Sequence, residues 1–221
     1  MKCAILEDMV GNFSWHQDQL ALHTLTLSDL FHETSLDQHL TRLTTEFGSP
    51  TRAHAASMTA KRIGYIAALM IYALNKHAVL IHPKVSTFVT IAKESTNTSW
   101  KPVYSFPLET AEPLQSTVEW ITQELYAQTI VPIVELLSKE RGISRVVLFE
   151  NIFIYIRWIF ISKLQDNITF QQLIESSALE FGVKKLHPIA LYESGRSTLR
   201  KTCCLYYQTH DAVKTCKTCP L

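Results

Sequence analysis

"VVLFENIFIYIRWIFI" (residues 146–161) is the most apolar stretch of this 221-residue chain, and its reading decides the fold. It is sixteen residues long and is interrupted by Glu150, Asn151 and Arg157. A membrane span needs about 20 apolar residues, so this stretch reads as a buried helix of a globular core. "GYIAALMIYAL" (64–74) is shorter still and reads the same way. The helix that holds it is apolar enough to be mostly buried.

Working outward, 143–164 is expected as the most apolar helix, followed by a shorter one over 169–181, with "KERGISR" as the turn before it. Upstream, 114–139 places Val118, Ile121, Leu125, Ile130, Val134 and Leu137 at helical spacing. Pro132 is expected to kink that helix. A helix from Ser57 to Asn75 runs through Ile63, Ile66, Ala67, Met70, Ile71 and Leu74. Within 18–47, Leu36, Leu40, Leu43 and Phe47 mark another helix face, with Ser35 as its expected cap. Between these helices "STFVTIA" (86–92) and "VYSFPLE" (103–109) read as antiparallel strands, Pro107 favouring an edge, with "AVLIHP" beside them. The expected class is α+β, mostly helical with a small antiparallel sheet, ending in a cysteine-rich segment.

Composition narrows the function. The net charge is +1 and there is no lysine/arginine block, which argues against nucleic acid as a partner. Charge is nevertheless uneven: residues 1–50 hold seven acids against Lys2 and Arg42, and residues 181–221 hold seven bases against Glu193 and Asp211. The N-terminal "MKCAILEDMVGNF" has Glu7 and Asp8 where a secretory signal would be apolar. The expectation is a cytoplasmic protein, with peripheral contact with the inner membrane left open. In that compartment a disulfide scaffold is disfavoured.

Four of the five cysteines lie in "RKTCCLYYQTHDAVKTCKTCPL" (200–221), as the adjacent pair Cys203 and Cys204 and the C-x-x-C of Cys216 and Cys219. Four thiolates satisfy a tetrahedral zinc or the two irons of a [2Fe-2S] cluster. In the cluster the C-x-x-C would serve one iron and the adjacent pair the other. Neighbouring side chains of an extended strand point to opposite faces, so the pair reaches one centre only through an unusual backbone turn. Iron-sulfur, zinc and thiol redox all stay open on spacing alone. His210 lies between the pairs and reads first as a solvated loop histidine, and Cys3 as a plain thiol. Tyr206 and Tyr207 are expected to pack over the centre as a lid. Trp100, Trp120 and Trp158 read as ordinary core or surface aromatics, and His82 and His187, each before a proline, as loop residues.

"CCLYYQ…CKTCPL" resembles the C-terminal signature of the FhuF-like ferric siderophore reductases. The likeness is strongest over the last twenty or so residues. Upstream it is diffuse and includes "SMTAKRIGYIAAL"; Arg200 is similar to a basic residue common just before the pair. Eleven residues separate Cys204 from Cys216, one more than that pattern usually has, a step that a loop absorbs at little entropic cost.

The resemblance implies a [2Fe-2S] cluster ligated by Cys203, Cys204, Cys216 and Cys219. It implies one-electron reduction of a ferric siderophore with release of ferrous iron. No G-x-G-x-x-G fingerprint is present, so the electron would come from a separate donor. Arg196, Arg200, Lys201, Lys214 and Lys217 are then candidates to attract an anionic siderophore or an acidic donor. The expected organisation is a helical body over 1–195 that docks the siderophore, and an iron-sulfur segment over 196–221. The alternatives are a zinc-stabilised binding protein and a cluster-carrying accessory protein without reductase activity.

Overall fold

The computed structural model describes residues 8, 23–45, 48–83, 87–90, 103–105, 109–110, 116–195, 199–208 and 219–220. The chain is mostly helical. Helix α1, Glu33–Thr45, buries Leu36, Leu40 and Leu43, as their spacing requires. It starts two residues before Ser35, which therefore lies inside the helix and does not cap it. Helix α2, Arg52–His77, is longer than its apolar run, because Thr51 accepts a hydrogen bond from the His54 amide and starts the helix early. At its other end Ala78 adopts a left-handed conformation, φ 52°, and its N–H closes on Ala73 and Leu74.

Helix α3 spans 117–137 in three parts: Thr117–Glu119, a widened stretch Trp120–Ile130, and Val131–Leu137. Pro132 offers no N–H and crowds the carbonyl four residues back, and the turns before it are wide. The Thr129 hydroxyl donates to the Glu124 carbonyl at 2.9 Å, five residues earlier. Helix α4 runs through Arg145–Trp158 and continues as wide turns over Ile159–Leu164. Helix α5, Asn167–Glu175, is capped by Asp166, and the single turn α6 is Ala190–Glu193.

The pairing of α2 with α4 is the largest in the molecule. Helix α2 is buried along most of its length and α4 along half. Gly64 makes the close approach possible: a Cβ there would lie 2.8 Å from the Ile152 Cα. Glycine in a helix interior costs about 1 kcal/mol against alanine, and here the backbone contact requires it. Leu69, Ile71, Leu148, Phe149, Ile152 and Phe153 fill the surrounding core. Each such side chain contributes about 1.5–3 kcal/mol on burial.

Extended structure is marginal. Strand β1, His23–Thr26, runs antiparallel to β3, Thr87–Thr90, which pairs with β4, Val103–Ser105. Strand β2, Val79–Leu80, pairs separately with β5, Glu109–Thr110. The β3–β4 pair is the antiparallel pairing expected between 86–92 and 103–109; with strands of two to four residues, extended structure stays minor beside the helices. Pro107 and Phe47 lie outside the described residues. No helix among the described residues is long and apolar enough to cross a membrane.

Candidate metal centre

Two of the three polar residues that interrupt the most apolar helix, Glu150 and Asn151, meet the strap 199–208 at one place, while Arg157 pairs with Glu193. Asn151, fully buried on α4, donates its amide to the Ser57 hydroxyl at 2.8 Å and to the Ser57 carbonyl at 3.1 Å on α2. Ser57 in turn donates its hydroxyl to the Cys204 carbonyl at 2.6 Å. Arg200, 5% exposed, donates to the Asn151 side-chain oxygen at 2.6 Å and lies 3.6 Å from the Glu150 carboxylate.

Glu150 accepts the amides of Lys201 and Thr202 at 2.6 and 2.8 Å, and the Thr202 hydroxyl as well. A buried carboxylate is costly unless paired and hydrogen-bonded, and here it receives both kinds of partner. The strap 199–208 is thus fastened to the α2–α4 pair by directed bonds just ahead of the two adjacent cysteines. Arg200 therefore serves this network, and Lys201 is occupied too, its ammonium donating to the Leu191 and Ser194 carbonyls at 2.6 and 2.8 Å. Arg200 is buried, whereas Lys201 is exposed. Arg196, Lys214 and Lys217 lie outside the described residues.

The backbone turn that an adjacent pair demands is present. Leu205 is left-handed at φ 61°, an uncommon state for a non-glycine residue. Its N–H reaches the Cys203 sulphur at 3.4 Å, and the Tyr206 N–H reaches the Cys204 sulphur. Two backbone donors therefore point at two neighbouring sulphurs, the arrangement that thiolates need and neutral thiols do not.

The two cysteines differ in environment. Cys204 is buried, with 2% exposure. Burial alone would push its thiol up, but the Lys61 ammonium, by charge and by hydrogen bond, together with Arg200 and the Tyr206 N–H, holds it below its ordinary value. Cys203 is half-buried and is pushed up, chiefly by burial; the Leu205 N–H opposes the shift, and the neighbouring Cys204 and Cys219 sulphurs add to it. Cys219 is close enough to hydrogen-bond with Cys203, so one arm of the C-x-x-C is brought against the adjacent pair.

Cys216, His210 and Cys3 lie outside the described residues, and among those described no group of three or more His, Cys, Asp and Glu side chains is set for a metal ion. The donor chemistry of the described part still fits a thiolate centre. It has three sulphurs in one neighbourhood, amide donors on two of them and cationic residues against the buried one.

Other sequence expectations resolve differently. Tyr206 and Tyr207 are 41% and 46% exposed, and Tyr206 stacks beneath the Lys61 ammonium, 4.8 Å from its ring centre. They form no apolar lid, because the left-handed turn at Leu205 directs the following single turn, Tyr206–Gln208, outward. Trp120 is core, and Trp158 stacks on Tyr65 with centroids 6.3 Å apart. Trp100 lies outside the described residues. His82 is exposed. His187 is structural: its Nδ1 accepts the Ile189 and Ala190 amides and its Nε2 donates to the Ser176 carbonyl.

Ser57, Lys61, Glu150 and Asn151 were not identified as site residues from sequence. Their only sequence signal is polarity inside helices that are otherwise buried.

Residues 200–221 match the family model described as the FhuF 2Fe-2S C-terminal domain. The match covers the segment that carries the cysteine resemblance, and it supports an iron-sulfur cofactor there. No curated protein matches the chain.

Proposed function

We propose that this protein reduces a ferric siderophore by one electron through a [2Fe-2S] cluster held by Cys203, Cys204, Cys216 and Cys219. The carrying observation is the approach of Cys219 to the Cys203–Cys204 pair within the segment matched to the 2Fe-2S domain. A bound cluster supplies single-electron transfer. The chain's own residues supply the rest. Glu150, Asn151 and Arg200 fix the strap on the helix pair, the Leu205 and Tyr206 amides direct hydrogen bonds at sulphur, and the body excludes water from Cys204. Hard siderophore oxygens hold ferric iron far better than ferrous iron, so one added electron loosens the complex and releases the metal. The reading includes a separate single-electron donor and a helical body over 1–195 that docks the siderophore, beside an iron-sulfur segment over 196–221. It places the protein in the cytoplasm, with peripheral contact with the inner membrane as an open extension.

The test is anaerobic purification with iron, sulfide and zinc assayed together, followed by EPR after dithionite reduction. Two irons per chain and a spin-½ signal are expected, and Cys204→Ala or Cys216→Ala should abolish or greatly weaken that signal. The reduced protein should then be reoxidised on mixing with a ferric trihydroxamate or tricatecholate. Stoichiometric zinc that iron and sulfide cannot replace would make the tail a structural clasp. A cluster that ferric complexes leave reduced would make the protein an accessory carrier.

A further inference from the structure

The charged groups around Cys204 are not equivalent. Arg200 is pinned between Asn151 at 2.6 Å and the Glu150 carboxylate at 3.6 Å, so its positive charge is balanced by an equally buried negative one. Arg62 lies one residue beyond Lys61 on α2 and acts electrostatically on Tyr155, as Cys204 and Arg200 also do. Lys61 differs from both. It stands one helical turn after Ser57, the residue that bonds the Cys204 carbonyl, and its ammonium hydrogen-bonds the Cys204 sulphur. The Tyr206 ring beneath it, 4.8 Å away, braces the ammonium in that position. Helix α2 thus grips Cys204 twice, by its backbone through Ser57 and by its sulphur through Lys61.

We infer that Lys61 is a positioning residue that sets the reduction potential of the centre, holding it higher than the four cysteines alone would. The inference rests on the cluster reading above. A [2Fe-2S] unit with four thiolates gains one negative charge when one electron from the reductant converts one of its two ferric ions to ferrous. A fixed ammonium against a 2% exposed sulphur interacts more strongly with that extra charge than it would in water. It therefore favours the reduced form. The opposing carboxylate, Glu150, is engaged by Arg200, Lys201 and Thr202.

The experiment is an EPR-monitored redox titration of the full-length holoprotein, comparing wild type with Lys61→Met and Lys61→Arg. At a fixed potential Lys61→Met should lower the reduced-to-oxidised ratio about tenfold, which is ~59 mV for a one-electron couple. Lys61→Arg keeps the charge and should restore most of the shift, a recovery that a purely space-filling role would not give. A wild-type signal with the same midpoint in Lys61→Met overturns this inference and leaves the cluster reading intact. A wild type that assembles no cluster overturns both. Should Lys61→Met fail to retain iron, Lys61→Gln carries the same test, since it keeps a hydrogen-bond donor without the charge. An unchanged midpoint there is equally fatal.

Discussion

The α2–α4 pair and the strap 199–208 are held by opposite means. Between the helices the contact is mainly apolar and close, set by Gly64 against Ile152 and by side chains with almost no exposure, with the Asn151–Ser57 hydrogen bonds as its polar exception. The strap buries little apolar surface beyond Cys204; Leu199, Tyr206 and Tyr207 are exposed. Directed bonds to Ser57, Asn151 and Glu150 fasten it instead. Apolar packing is forgiving of chemistry and intolerant of volume. A buried polar network is the reverse, because each missing partner leaves a desolvated group unsatisfied. The site region should therefore fail chemically where the body fails sterically.

The sharpest way to break that contrast is at Glu150. Glu150→Ala strands the buried Arg200 guanidinium and two strap amides, and should cost about 3–5 kcal/mol. Thermal unfolding and iron content measure it: the protein should lose iron well before helical circular dichroism falls. Simultaneous loss of both would mean that strap and body form one cooperative unit. Gly64→Val probes the other side. A Cβ already meets the Ile152 Cα at 2.8 Å, so the larger side chain must part the helices, at about 1–3 kcal/mol in urea titration. The iron retained per folded molecule should change less than in Glu150→Ala.

A third, pH-dependent effect is at His39 on α1, whose Nε2 meets the Thr59 hydroxyl on α2 at 3.1 Å. Burial, with a further contribution from Arg42, pushes this imidazole down to about 4 from 6.5. Below pH 6.5 the unfolded chain takes up a proton that the folded one refuses, so stability falls on acidification from 6.5 towards 4 and is flat above. The slope reaches about 1.4 kcal/mol per pH unit. His39→Gln should flatten that limb in denaturation curves recorded from pH 4 to 7.

Much of this was legible one element at a time. Leu36, Leu40 and Leu43 announced α1, and the apolar run from Ile63 to Leu74 announced α2, because periodic burial leaves a periodic signal. Helix starts were less legible. Thr51 begins α2 six residues before the expected Ser57, since a cap works through local geometry that a hydropathy pattern does not carry. The wide turns of α3 were visible only as Pro132. The β3–β4 pairing was legible from its β-branched and aromatic composition, whereas the third strand, β1, was not, since pairing with a distant segment leaves no local pattern.

The sequence by itself determined that the protein is helical, and it placed four cysteines in a tail whose spacing matches a 2Fe-2S domain. Both properties are local, a matter of period and spacing along the chain. Only the tertiary structure decided that Ser57 and Lys61 on one helix, and Glu150 and Asn151 on another, converge on Cys204. Ser57 lies 147 residues from Cys204 along the chain. A polar residue inside an apolar helix shows that some partner must exist, since burial without one is too costly. Which partner it is depends on where folding brings the chain back.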